Sequence, residues 1–246
     1  MEDMSMITVV GMGPGAESMM TGQAMSALDE ADVIVGYSVY LDLLGDRYAG
    51  KEYLSTPMKQ EAERCRLCFD EAAKGKNVAM VCSGDAGIYG MASLMFEIRE
   101  ELGADIEISV VPGITAASSG AAVLGAPLNH DFCVISLSDL LTPWELIEKR
   151  LRAAADGDFV IAIYNPSSKK RHDYLQKACD ILMESIGGSR ACGYVRSIGR
   201  DGEEHHTCTL EELRDTEVDM FTTVFIGNSK SRITDGRLIT PRGYRL

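Results

Sequence analysis

The sequence predicts an α/β protein of two lobes: an N-terminal lobe on a mostly parallel sheet with flanking helices, and a C-terminal lobe on a mixed sheet. Three observations lead there. From Ile7 onwards short apolar runs alternate with amphipathic stretches, the rhythm of β-α-β units. The runs themselves, such as Ile7-Thr8-Val9-Val10 and Val33-Ile34-Val35, lack the alternation of a half-exposed strand and read as buried on both faces. Towards the end, Asp201-Gly202 separates two strand-like runs and reads as a hairpin turn, which brings antiparallel pairing into the second lobe.

The first strand covers 7–10 and ends in Gly11-Met12-Gly13-Pro14-Gly15. Helical spacing follows over 21–30, and a second strand over 33–36. A helix over 61–74 closes at Gly75, the residue type favoured just past a helix C-terminus. A strand over 77–82, a helix over 89–102 closed by Gly103, and a strand over 106–111 stopped by Pro112-Gly113 complete the first lobe. The second opens with a helix of small residues over 115–124, broken by Gly125-Ala126-Pro127. Strands are predicted over 132–136, 159–164, 190–195, 203–209 and 222–226, and helices over 143–155, 172–186 and 210–216. The boundary falls near Pro112 to Thr115, so the domains are 1–114 and 115–246.

Across 246 residues, 46% hydrophobic and 25% charged content are those of a folded globular chain. The formal net charge of −13 argues against sequence-independent nucleic-acid binding, which needs a basic surface, while leaving room for a local basic patch. No apolar run approaches the ~20 residues of a bilayer span, and Met1-Glu2-Asp3-Met4 is not the basic start of a secretory signal. Seven scattered cysteines read as reduced thiols in a cytoplasmic protein. Cys65 and Cys68 form one C-x-x-C with no second pair or histidine cluster, so no metal site is expected.

The glycine turn at 11–16 fits the dinucleotide fingerprint formally, and an NAD-dependent oxidoreductase is one reading of it. That reading needs a helix starting inside the glycine run and an acidic residue closing the second strand. Here the helical pattern starts near Thr21, and the second strand ends in Gly36-Tyr37. Otherwise the glycines end a strand without a ligand, or let a ligand or the other lobe approach the backbone. Ser83-Gly84-Asp85-Ala86-Gly87-Ile88-Tyr89-Gly90 follows a buried strand at its C-terminal end, where open α/β sheets bind ligands. Asp85 reads either as a helix N-cap or as a group for ribose hydroxyls or an ammonium. Thr115 reads as a cap or as a partner for a carboxylate, and the small residues after it as a close-packing surface. Tyr164-Asn165-Pro166 ends another strand, and Lys169, Lys170, Arg171 and His172 follow as a dense cationic run. The run reads as a solvated helix start or, because cations there oppose the helix dipole, as a group for an anionic substrate. Arg196 and Arg200 are further candidates, because guanidinium forks bind carboxylates bidentately. Asp85 and His130 are the candidate acid or base groups.

Taken in order, GMGPG, SGDAGIYG, VPGITAA, AIYNP, GYVRSIGRDGE, TTVFIGNS and ITPRGY resemble the tetrapyrrole methylase family over nearly the whole chain. AIYNP, VRSIGRDGE and TPRGY suggest the branch that methylates C-17 of precorrin-3B or cobalt-factor III, with ring contraction, in cobalamin biosynthesis. The resemblance implies a homodimer of two-lobed subunits, with S-adenosylmethionine folded in the cleft between lobes and S-adenosylhomocysteine as product. It implies cofactor contacts at Pro14, Gly84, Asp85, Ile88, Thr115 and Ala116, and in the second lobe at Tyr164, Asn165, Val195, Arg196, Gly227 and Asn228. It also implies a macrocyclic substrate edged with carboxylates, for which Lys169, Lys170, Arg171, Arg196 and Arg200 form a basic rim. Methylation at another corrinoid position, methylation of diphthamide or ribosomal RNA, and a tetrapyrrole-holding scaffold are the alternatives.

Overall fold

The computed structural model describes residues 5–168 and 170–245. Backbone contacts divide the chain into two compact units, with the division between Thr115 and Ala116.

The first unit holds the strands β1 (Met6–Gly11), β2 (Val33–Gly36), β3 (Glu52–Ser55), β4 (Val78–Cys82) and β5 (Glu107–Val111). They lie in the order β3-β2-β4-β1-β5, and every pairing is parallel. Its helices are α1 (Gly22–Glu30), α2 (Ser38–Leu41), α3 (Glu61–Ala72) and α4 (Ala92–Leu102). Successive strand residues point to opposite faces. Val33 and Val35 join a cluster with Cys65, Phe69, Met95 and Ile98, while Ile34 joins one with Ala24, Leu28, Leu44 and Tyr48. Both faces are dry, which is why these strands read as unbroken apolar runs.

The crossovers decide where a ligand can sit. Steps from β3 to β4 and from β4 to β5 place α3 and α4 on one face; the opposite step, from β1 to β2, places α1 on the other. A single crossover hand requires this. The neighbours β1 and β4 therefore send their helices to opposite faces, and their C-terminal ends form the sheet's switch point.

The second unit contains α5 (Ala116–Leu124), β6 (Gly125–Ala126), β7 (Phe132–Ser136), α6 (Trp144–Asp156), β8 (Val160–Tyr164) and α7 (Tyr174–Ile186). It continues with β9 (Ala191–Arg196), β10 (Glu204–Thr209), α8 (Leu210–Arg214), β11 (Thr222–Ile226), β12 (Arg232–Thr234) and β13 (Arg237–Ile239). The main sheet runs β10-β9-β11-β8-β7; β7 and β8 are parallel and the other pairings antiparallel. A small sheet, β12-β13-β6, stands beside it. Ile147, Leu151, Leu175, Leu182, Leu210 and Leu213, from α6, α7 and α8, cover one face. Ala117, Ala121 and Leu124 of α5 cover the other, against Ala162, Val195 and Phe225. The small residues of α5 are explained here: a Cβ on Gly120 would stand 3.0 Å from the side chains of Ile198 and Phe225.

Several expectations shift. The helix expected over 89–102 starts at Ala92, because Tyr89 takes a left-handed φ of 55° and the preceding segment is a wound turn. β3 was not foreseen, nor were β6 and the β12–β13 hairpin, which are short and carry little apolar signal.

Candidate active site

Three turns of the first unit meet at its switch point. After β1, the Met12 N–H donates to the Cys82 carbonyl at 2.9 Å, and Gly13 and Gly84 exchange two hydrogen bonds at 3.0 and 2.7 Å. Gly84 has a φ of 71°, a conformation few side chains tolerate. The turn after β5 completes the group: a Cβ on Gly113 would overlap the Gly84 carbonyl and the Gly11 backbone. Pro14 is buried in this knot.

Asp85 holds the turns together. One carboxylate oxygen accepts from the N–H groups of Gly87 and Ile88 at 2.8 and 3.0 Å, and the other accepts from Gly113 at 3.0 Å. The N-cap reading of Asp85 does not describe this. It does not cap α4, whose N-cap is Met91. Its oxygens accept from three backbone donors, so it acts as a brace between the turns after β4 and β5. The brace leaves Ile88 and Tyr89 standing out, 39% and 56% exposed. An adenosyl group needs an apolar surface and a few fixed main-chain donors and acceptors. Ile88 supplies exposed apolar surface at this turn, while the N–H groups of Gly84 and Gly87 are already paired within it.

In the second unit the C-terminal ends of β7, β8 and β9 share one edge, since these strands run the same way. The Tyr164 hydroxyl accepts from the Ala117 N–H at 2.6 Å, fixing the start of α5 to the end of β8. Asn165, with φ 52°, donates from Nδ2 to the Ser136 hydroxyl at 2.9 Å. Ser197, with φ 53°, follows β9, and its N–H donates to the Phe221 carbonyl at 3.0 Å. Non-glycine residues held left-handed cost conformational energy and gather at functional turns. Val195 is buried against α5 and presents only backbone to this edge.

Gly227 and Asn228 do not join the edge. β11 is antiparallel to β8 and β9, so its C-terminal end lies beside Ala191, whose carbonyl accepts from the Gly227 N–H at 2.9 Å. Five strand residues, roughly 17 Å, separate them from the end of β9. The Asn228 side chain is spent inside its own turn, accepting from Lys230 N and Ser231 Oγ at 3.0 and 3.2 Å. Grouping these two with Tyr164 and Arg196 is corrected on that ground. His130 precedes β7 and so sits at the same far edge, its Nδ1 accepting from the Asp131 N–H at 3.0 Å.

The expected basic rim is partly neutralised by acids distant in sequence. Arg171 donates to Ser138 Oγ at 2.8 Å and stands 3.4 Å from Asp139. Arg196 pairs with Asp219 at 3.0 Å. Arg200 lies over the Phe221 ring at 5.5 Å. Lys170 is exposed, and Lys169 lies outside the described residues. Cys65 and Cys68 are buried on α3, where burial pushes the Cys65 thiol up to about 12 and Cys68 well above its ordinary value. Such thiols stay protonated and unreactive.

The model of the family described as Tetrapyrrole (Corrin/Porphyrin) Methylases matches residues 6–214. A probable cobalt-factor III C(17)-methyltransferase of Salmonella typhimurium is 46% identical, covering 98% of this chain and 100% of its own. A precorrin-3B C(17)-methyltransferase of a Sinorhizobium species is 39% identical, covering 96% of each. The crystal structure of the methyltransferase CobJ aligns at a TM-score of 0.89 with 40% identity, over 96% of this chain and 100% of that one. The uroporphyrin-III C-methyltransferase of Thermus thermophilus, complexed with S-adenosylhomocysteine, shares the fold at a TM-score of 0.69 and 22% identity, over 91% of this chain and 97% of that one.

Proposed function

This chain belongs to the tetrapyrrole methylase family, and from that footing we propose that it transfers the methyl group of S-adenosylmethionine to C-17 of cobalt-factor III or precorrin-3B, with ring contraction, in cobalamin biosynthesis. The observation that carries the reading is the brace of Asp85 across the switch-point turns, which fixes a glycine-lined backbone surface where parallel sheets take nucleotides. The names of the close relatives support the position methylated. The S-adenosylhomocysteine complex of a protein of this fold supports the cofactor.

When bound, S-adenosylmethionine supplies an electrophilic methyl group on a sulfonium centre. Pro14, Gly84, Ile88, Thr115 and Ala116 are the groups proposed to hold it, with Asp85 positioning the turn. On the second unit, Tyr164, Asn165, Val195 and Arg196 are proposed as cofactor contacts. Their work is alignment and exclusion of water: a methyl transfer gains rate chiefly from a fixed in-line approach, and positioning supplies up to about 7–11 kcal/mol. Lys170, Arg171 and Arg200, with Lys169, are proposed to meet the carboxylates of the substrate. The same reading makes the protein a cytoplasmic homodimer; no helix among the described residues is long and apolar enough to cross a membrane.

The dinucleotide reading loses its support. After β1 the chain passes through Pro14 and a short helical turn at Glu17–Met19 before α1 begins at Gly22, and β2 closes on Gly36 without an acid. Titration with S-adenosylhomocysteine and with NADH separates the two. Micromolar binding of the first and none of the second is expected, and the reverse would overturn the proposal.

A further inference from the structure

Arg64, in the first turn of α3, is 5% exposed. Nearby Arg66 and Lys74 each hold a glutamate; among the described residues Arg64 holds none. Its Nη2 donates to the carbonyl oxygens of Thr56 and Pro57 at 3.2 and 3.1 Å. Its Nε is buried with no hydrogen-bond partner. The Tyr37 ring lies 5.8 Å from the guanidinium carbon. These neighbours are dipoles and a π face, with no net negative charge among them. A buried cation without a counter-charge is among the costliest arrangements a fold can carry, and it is relieved by an anion.

The position of this charge is as informative as its isolation. Thr56 and Pro57 follow β3, Tyr37 follows β2, and Cys82 ends β4. Burial pushes the Cys82 thiol up to about 11, and Arg64 is near enough to pull against that rise. The guanidinium therefore sits at the C-terminal ends of three adjacent parallel strands, on the same edge as the Asp85 turn. Residues 57–60, between β3 and α3, are exposed throughout, so an incoming group meets a surface segment there.

We propose that Arg64 is the seat of a ligand carboxylate, met by the guanidinium donors that the Thr56 and Pro57 carbonyls leave over. Resting on the function proposed above, the carboxylate has two sources: the periphery of the macrocycle, or the amino-acid end of the cofactor.

The test uses the full chain and the variant Arg64→Gln, with direct binding rather than turnover as the readout. Affinities are measured for cobalt-factor III, for S-adenosylhomocysteine, and for methylthioadenosine, which lacks the amino-acid carboxylate. If the macrocycle is the source, cobalt-factor III binding weakens at least about tenfold and both nucleosides are unaffected. If the cofactor is the source, S-adenosylhomocysteine weakens by that factor and methylthioadenosine does not. Unchanged affinity for all three overturns the proposal. Should Arg64→Gln fail to fold, Arg64→Lys keeps the charge and loses the guanidinium donors. A several-fold loss for one carboxylate ligand is then expected, and no loss overturns the site. A wild type that binds the macrocycle through Arg64 yet transfers no methyl group contradicts the function and leaves the anion seat standing.

Discussion

Replacing Asp85 with alanine removes the acceptor for three backbone N–H groups at once. Hydrogen bonds to a charged acceptor contribute about 1.5–3 kcal/mol each. The expected result is an S-adenosylhomocysteine dissociation constant at least about tenfold weaker by calorimetry. Asp85→Asn keeps one oxygen and should lose less. Equal affinity in all three proteins would remove the brace from the binding argument. Far from that turn, Glu71 is buried on α3 and accepts from Lys74 and Lys76, which hold its carboxyl below the ordinary glutamate range. A lowered folded-state pKa contributes stability above the unfolded value of about 4.3, lost as pH falls through the folded value. Glu71→Gln should therefore flatten the acid side of a urea-midpoint-versus-pH curve. A slope below pH ~4.3 as steep as in the wild type would refute that assignment.

At the scale of elements, the close approach of the turns after β1, β4 and β5 depends on glycine. Gly113→Ala places a methyl group against the Gly84 carbonyl and the Gly11 backbone. Overpacking of this kind costs about 1–3 kcal/mol. The variant should melt several degrees lower and bind S-adenosylhomocysteine poorly. Gly22→Ala is the control. It lies in the first turn of α1 with nothing within 4 Å of the added methyl, so it should raise the melting temperature slightly and leave binding alone. Identical behaviour of the two variants in thermal melts would mean that the packing of the turns is looser than described. The elements also show what the sequence could reveal. Strands such as Val33–Gly36 and Val78–Cys82 were legible because both their faces are buried. Glu52–Ser55 was not, since none of its residues is fully buried. The direction of β11 was hidden as well, because an apolar run such as Thr222–Ile226 reads alike whichever way it lies. Gly227 and Asn228, which the resemblance groups with Tyr164 and Arg196, therefore lie at the opposite edge of the sheet.

For the whole molecule, the residues that mark the family were legible as motifs, but their jobs depend on partners far along the chain. Asp85 reaches Gly113 across 28 positions, and Tyr164 reaches Ala117 across 47. In sequence the cationic residues near Arg171 read as a basic rim, but in the fold Asp139 and Asp219 stand beside Arg171 and Arg196. No local pattern announces such pairings. A ligand that binds only the folded chain stabilises it by about 2.7 kcal/mol at a hundredfold excess over its dissociation constant. Saturating S-adenosylhomocysteine should thus raise the melting temperature by a few degrees, and NADH should not. A shift with NADH alone would return the first glycine turn to the dinucleotide class.

The carbon that receives the methyl group decides the function. The purified protein is incubated with cobalt-factor III, and separately with precorrin-3B, together with S-adenosylmethionine carrying an isotopic label in its methyl group, and the product is read by NMR and mass spectrometry. A product one methylene heavier, with the label on C-17, is expected. A product labelled at any other carbon, or no transfer to either macrocycle, would contradict the proposed function.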